Sequence, residues 1–156
     1  MDNSGLKAPE IYEYRLTVPA AVIDLNGHVN NAEYVRWMQA AAEAHSDAVG
    51  WPAERYQAIQ AGWLVQSHRI DYQQPAFVAE ELAVYTWVAE FRRVRSRRCY
   101  RFVRRQDEVV LAVAETAWVF FDRRSGKPRV IPEDLIAAFA VAPAEGEPSP
   151  QSNKDS

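Results

Sequence analysis

The sequence predicts an α+β fold: a curved antiparallel sheet wrapped around one long central helix. Two periodicities point there. Between Asn31 and Gly50, Val35, Met38, Ala42, His45 and Val49 recur at three- and four-residue steps, a helical stripe. From Trp63 to Asp122 the period changes to two, in runs rich in β-branched and aromatic residues. These runs span ten residues or more, well above the usual strand of about five or six, and long strands can curl around a helix.

In chain order, "IYEYRLTV" reads as a first strand ending before Pro19. The polar stretch "DLNGHVNN", Asp24 to Asn31, then leads into the long helix. Asn30 followed by Glu33 has the spacing of a capping box, with Asn in place of Ser or Thr. Alanines in "QAAAEA" let the helix lie close to a neighbouring backbone, and Gly50 ends it. A short helix follows at "PAERYQAIQAG", with Pro52 in its first turn and Gly62 past its end. The strands "WLVQSHRIDY", "LAVYTWVAEF", "RSRRCYRFVRR" and "EVVLAVAETAWVFFD" come next, mostly as sequential hairpins. Ser125-Gly126 breaks the last of them, and Pro132 opens a final short helix, "PEDLIAAF". Residues 10–140 make one domain. Residues 1–9 read as a flexible N-terminus, and 141–156, rich in Pro, Ser and charge, as a disordered tail.

At 156 residues, 48% apolar and 25% charged, the chain fits an ordinary globular domain. A net charge of −3 gives no global case for nucleic acid or an anionic membrane. The N-terminal "MDNSGLKAPE" lacks the apolar core of a signal peptide, and no apolar run reaches the length of a membrane span. One cysteine, Cys99, excludes an internal disulfide and a cysteine-rich zinc site, so a cytoplasmic location is expected. No Gly-rich phosphate loop or G-x-S-x-G elbow is present. A metal site built from His28, His45 and His68 has no ligand spacing to support it, so none is expected.

The polar stretch has two physical readings. Asn, Gly and Asp reverse a chain and cap a helix, and that alone can explain them. Alternatively, unpaired N–H groups at the helix start can bind a carbonyl oxygen and stabilise charge developing on it. Beside them, Asp24 can take a proton from water or attack the carbonyl, while His28 and Asn26 shuttle protons and orient water.

"DLNGHVNNAEYVRW" resembles the motif of hotdog-fold thioesterases, the 4-hydroxybenzoyl-CoA thioesterase-like superfamily, in which D-x-x-G-H-x-N-N-x-x-Y leads into the central helix. "IDYQQPAFVAEEL" and "VAETAWVFFDRRSGKPRVIPEDL" are similar to later segments of that family, so the resemblance covers most of residues 11–139. It implies an acyl-CoA thioesterase acting on acyl-CoA or acyl-carrier-protein thioesters, with coenzyme A as part of the substrate and no other cofactor. Asp24, Asn26 and His28 match the D-x-N-x-H-V-N-N motif of plant-type acyl-carrier-protein thioesterases, whose Asp, Asn and His are implicated in catalysis. Backbone amides near Asn30 and Asn31 would then polarise the thioester. The family's other branch places its catalytic Asp two residues earlier, where this chain has Val22. The plant-type downstream Glu has no secure counterpart, Asp71 being the nearest acid. The resemblance also implies a homodimer or homotetramer. Dehydration of a 3-hydroxyacyl thioester and a non-catalytic acyl-thioester or nucleic-acid binding module are the alternative functions.

Eight arginines crowd into "FRRVRSRRCYRFVRR". They can be a solvated hairpin face, or a dock for the phosphates of coenzyme A through Arg92, Arg93 and Arg95. Nucleic acid stacked on Tyr100 and Phe102 is the least supported reading. Cys99 reads as a small core residue, and Trp37, Trp63, Trp87 and Trp118 as core and tunnel wall.

Overall fold

The computed structural model describes residues 11–142; the flexible N-terminus expected at 1–9 and nearly all of the tail expected at 141–156 lie outside the described residues. Five strands form one antiparallel sheet: β1 (Tyr12–Thr17), β2 (Ala61–Tyr72), β3 (Glu81–Arg92), β4 (Arg95–Arg104) and β5 (Val109–Asp122). Their order is β1-β3-β4-β5-β2. Only β3, β4 and β5 are sequential hairpin neighbours. β2 pairs with β5, Trp63 opposite Phe120 and Ile70 opposite Ala114, and forms the far edge. Register shifts at Val65/Ser67, Val88/Glu90 and Phe102/Val103 add the local twist that curls the sheet.

The sheet curls around α1 (Asn31–Ala48), the hotdog arrangement. Tyr34, Trp37, Met38, Ala41, Ala42 and His45 are the buried face of α1, while Val35 and Val49 of the expected stripe are only half-buried. Tyr34, Trp37, Met38 and Ala41 pack against Leu82, Val84, Tyr100, Phe102 and Leu111. A second cluster closes the other end, where α2 (Ala53–Ala58) and α3 (Glu133–Ala138) bring Tyr56 and Leu135 against Val88 and Phe120. On the convex face Ala142 covers Trp87 and Cys99, and its N–H donates to the Val88 carbonyl at 2.9 Å. No helix of the described residues is long and apolar enough to cross a membrane.

Two local expectations change. Glu33 does not complete a capping box: Asn30 Oδ1 accepts from the Ala32 amide at 2.9 Å, while Glu33 bonds Arg36 and the Asn30 amide donates to the Val22 carbonyl. The expected glycine stop of α2 is also displaced. Gln60 takes the left-handed conformation at φ 57°, and Gly62 lies inside β2. A Cβ at Gly62 would sit 3.0 Å from side-chain atoms of Phe121 and Arg123, which would have to give by a few tenths of an ångström, so glycine here allows close packing.

One buried polar pair ties α1 to the sheet. Arg98 on β4 donates through Nη1 to His45 Nδ1 at 2.9 Å and to Thr86 Oγ1 at 3.0 Å. Burial, then the neighbouring Arg98 charge, lowers the His45 pKa to about 3, so the imidazole is a neutral acceptor with its proton on Nε2. Its ring stacks on Tyr12 and meets Phe139 edge-on. Because the folded pKa lies below the unfolded value near 6.5, the unfolded chain binds the extra proton between the two values. His45 therefore contributes stability that is fully present above about pH 6.5 and is lost as pH falls toward 3, at about 1.4 kcal/mol per pH unit. In urea unfolding between pH 7 and pH 5, His45→Gln, which keeps an acceptor for Arg98, should flatten this loss; an unchanged slope would remove His45 as its source.

Candidate functional site

Asp24, Asn26 and His28 lie on a tight loop immediately before α1. An isolated bridge between Ile23 and Val29 closes the loop, and the Asp24 amide donates to the His28 carbonyl at 2.9 Å. Gly27 turns the chain at φ 88°. Asp24 Oδ1 accepts from the Asn26 amide at 2.9 Å, an Asx turn, and Oδ2 has no partner among the described residues. Asp24 and His28 are half-buried, whereas Asn26 is exposed and Leu25 stands fully in solvent at the tip.

The loop is anchored from below by the β2–β3 connection. Val29, 2% exposed, donates to the Ala76 carbonyl, and Phe77 meets the His28 ring edge-on at 6.3 Å. Val22 packs against the core, which leaves that position a purely structural role. At the start of α1 most donors are occupied. Asn30 donates to Val22, Ala32 to the Asn30 side chain, and Glu33 to the Asn30 carbonyl. Asn31 N–H remains without a partner among the described residues and carries the positive end of the helix dipole. Its carbonyl accepts from Tyr72 Oη at 3.1 Å. Below it Tyr34 is buried among Trp37, Tyr72 and Phe102, and burial pushes its hydroxyl up to about 12, so it stays protonated.

Asp71 does not supply a second acid: it is exposed and pairs with Arg69 at 3.7 Å. Glu80 lies closer to the loop's support, accepting from the Phe77 amide at 2.9 Å and pairing with Arg104 at 3.5 Å. No cluster of three or more His, Cys, Asp or Glu side chains able to hold a metal occurs among the described residues.

The arginine run does not act as one patch. Arg92 pairs with Glu90, Arg97 with Glu90 and Glu115, Arg104 with Asp107, and Arg105 with Glu81. Arg93 and Arg95 sit exposed at the β3–β4 turn with no ion pair among the described residues. That turn and the Asp24 loop are at opposite ends of β3, whose 12 residues span roughly 36 Å. A single chain therefore keeps the two groups apart.

Arg98 departs from the rest, pointing inward at 5% exposure. The period-two pattern Ser96, Arg98, Tyr100, Phe102, all buried on β4, is the sequence signal that separates it. It lines a cavity of about 390 Å³ between the C-terminal half of α1 and the sheet, walled by Trp51, Trp63, Phe91, Trp118 and Phe139. This cavity and its arginine were not legible as a site from residue types alone.

Residues 18–139 match the profile of the thioesterase-like superfamily. No curated protein matches the chain. Among solved structures, a 1,4-dihydroxy-2-naphthoyl-CoA thioesterase from Synechocystis is similar at 18% identity and TM-score 0.77, covering 83% of this chain and 95% of its own. A hypothetical protein from Thermus thermophilus is similar at 26% identity and TM-score 0.76, over 83% and 97%. An acyl-ACP thioesterase from Bacteroides thetaiotaomicron is 17% identical with TM-score 0.78, over 86% of this chain and 55% of that one. With a profile spanning most of the domain and the same curled sheet around its helix, the chain belongs to the thioesterase-like superfamily.

Proposed function

We propose that the protein hydrolyses an acyl thioester, of coenzyme A or of an acyl carrier protein, to a free acid and a thiol. The observation that carries this reading is a half-buried carboxylate on the loop that leads, seven residues on, into an open helix terminus. Asp24 is held by one oxygen and has the other unpaired, and the Asn31 amide a few residues on is the remaining donor of the first turn. In a chain of the thioesterase-like superfamily, these are a base or nucleophile and an electrophilic donor. Asp24 takes the proton of the attacking water or attacks the carbonyl carbon itself. The Asn31 N–H binds the carbonyl oxygen as it gains charge. His28 passes a proton to the departing thiolate, and Asn26 orients the water. Similar structures named as a 1,4-dihydroxy-2-naphthoyl-CoA thioesterase and an acyl-ACP thioesterase support both thioester classes.

A second copy of the chain completes this reading. β2 is a 12-residue edge strand with Leu64 and Val65 exposed at 50% and 41%, an open template for pairing with another sheet. Pairing two β2 edges antiparallel makes a homodimer, and a substrate held at one Asp24 loop would then meet Arg92, Arg93 and Arg95 only from the partner. The chain's own arginine turn is too far away.

Three outcomes test these statements. Asp24→Asn keeps an Oδ1 acceptor for the Asn26 amide, so the variant should fold normally while thiol release from an acyl-CoA panel falls about 10²-fold or more; full turnover would remove Asp24 from the mechanism. Arg92→Ala with Arg93→Ala should raise KM for acyl-CoA more than for a short thioester lacking the nucleotide, and equal effects would reject phosphate docking. Leu64→Glu on the open edge should shift sedimentation from dimer to monomer; an unchanged dimer would place the interface elsewhere.

A further inference from the structure

The Arg98 guanidinium is buried, and the described residues give it no anion. Its Nη1 bonds two neutral acceptors, His45 Nδ1 and Thr86 Oγ1, and no carboxylate pairs with it. Its Nε and Nη2 groups have no hydrogen-bond partner among the described residues, and the side chain borders the 390 Å³ cavity. A charge removed from water this far is costly unless paired. Most of the Arg98 fork is still available, and a planar carboxylate can accept two parallel bonds from it.

The rest of the cavity defines what carries that carboxylate. Trp51, Trp63, Phe91, Trp118 and Phe139 make its walls apolar and aromatic, and Phe139 lies under the guanidinium with 5.6 Å from Arg98 Cζ to the ring centroid. At about 30 Å³ per water-sized unit, 390 Å³ holds on the order of a dozen non-hydrogen atoms. Glu43, Asp47 and Arg123 also line the space, but all three are exposed. Their solvent-screened charges of mixed sign barely alter the buried arginine, which stays the one deeply placed charge of the lining.

We propose that this cavity is a binding site for a small apolar monocarboxylic acid, its carboxylate on Arg98 and its hydrocarbon or ring among the tryptophans. The site is separate from thioester cleavage. Along α1, Asn31 is eight residues, about 12 Å of helix, from Gln39 at the near rim of the cavity, and about 21 Å from His45, which holds Arg98. The two readings can therefore fail independently.

Isothermal titration calorimetry with 3-phenylpropanoate and its uncharged partner 3-phenylpropanamide tests the site in the full chain. The wild type should bind the acid roughly tenfold or more tighter than the amide, with tryptophan fluorescence changing as the acid binds. Arg98→Gln should abolish that preference. Ser96→Leu narrows the cavity while keeping the guanidinium, and should weaken the acid similarly; it serves if Arg98→Gln does not fold. Equal binding of acid and amide, binding of neither, or saturation by chloride with no preference for the apolar acid would each overturn the proposal. Loss of acid binding in Asp24→Asn would also count against it, by joining the two sites.

Discussion

The seating of α1 in the concave face of the sheet determines most of what this molecule can do. Tyr34, Trp37, Met38 and Ala41 fill the space between helix and strands, so the helix can neither rotate nor slide without opening the core. Because the helix is fixed along its length, both its ends are fixed. Its N-terminus follows directly on the Asp24 loop, and its C-terminal half brings His45 to Arg98 and lines the aromatic cavity. One packing surface therefore supports two chemically different environments, one at the solvent boundary and one inside.

These environments handle charge in opposite ways. Around Asp24 the carboxylate is half in water, and the turn that holds it uses only one of its oxygens. Orientation there comes from backbone hydrogen bonds: Val29 to Ala76, and Asn30 to Val22. Around Arg98 the cation is deep, and its protein partners are neutral. A His45 held neutral by burial can accept the arginine's N–H without adding a second positive charge. The pair is compatible with the core only because the histidine stays unprotonated.

The helix and the long strands were legible because their periods were long and unbroken, and the D-x-N-G-H-V-N-N stretch carried the family. Local spacing said less where tertiary contacts decide. Asn30 to Glu33 has capping-box spacing, yet Glu33 finds Arg36 and the Asn30 amide finds Val22. Gly62 looked like a helix stop because it follows a helical segment, but Phe121 and Arg123 crowd it within a strand. No local feature of β2 says that it pairs with β5 rather than β3; that follows from where α1 must lie. Arg98 was hidden among seven neighbours of its own kind, and only alternation along β4 sets it apart. For Asp24, Asn26 and His28 the structure supplies placement on one loop before α1.

The short run at Ala142 has a consequence of another kind. By donating to Val88 and lying over Trp87 and Cys99, it shields the lone thiol from solvent. Trimming the chain at residue 140 would remove that part of the cover and leave the indole and the sulfhydryl more exposed on the convex side, with Ile11, Tyr85 and Ala89 as their remaining apolar neighbours. Such a shortened protein would become more open to oxidation and to crosslinking through sulfur.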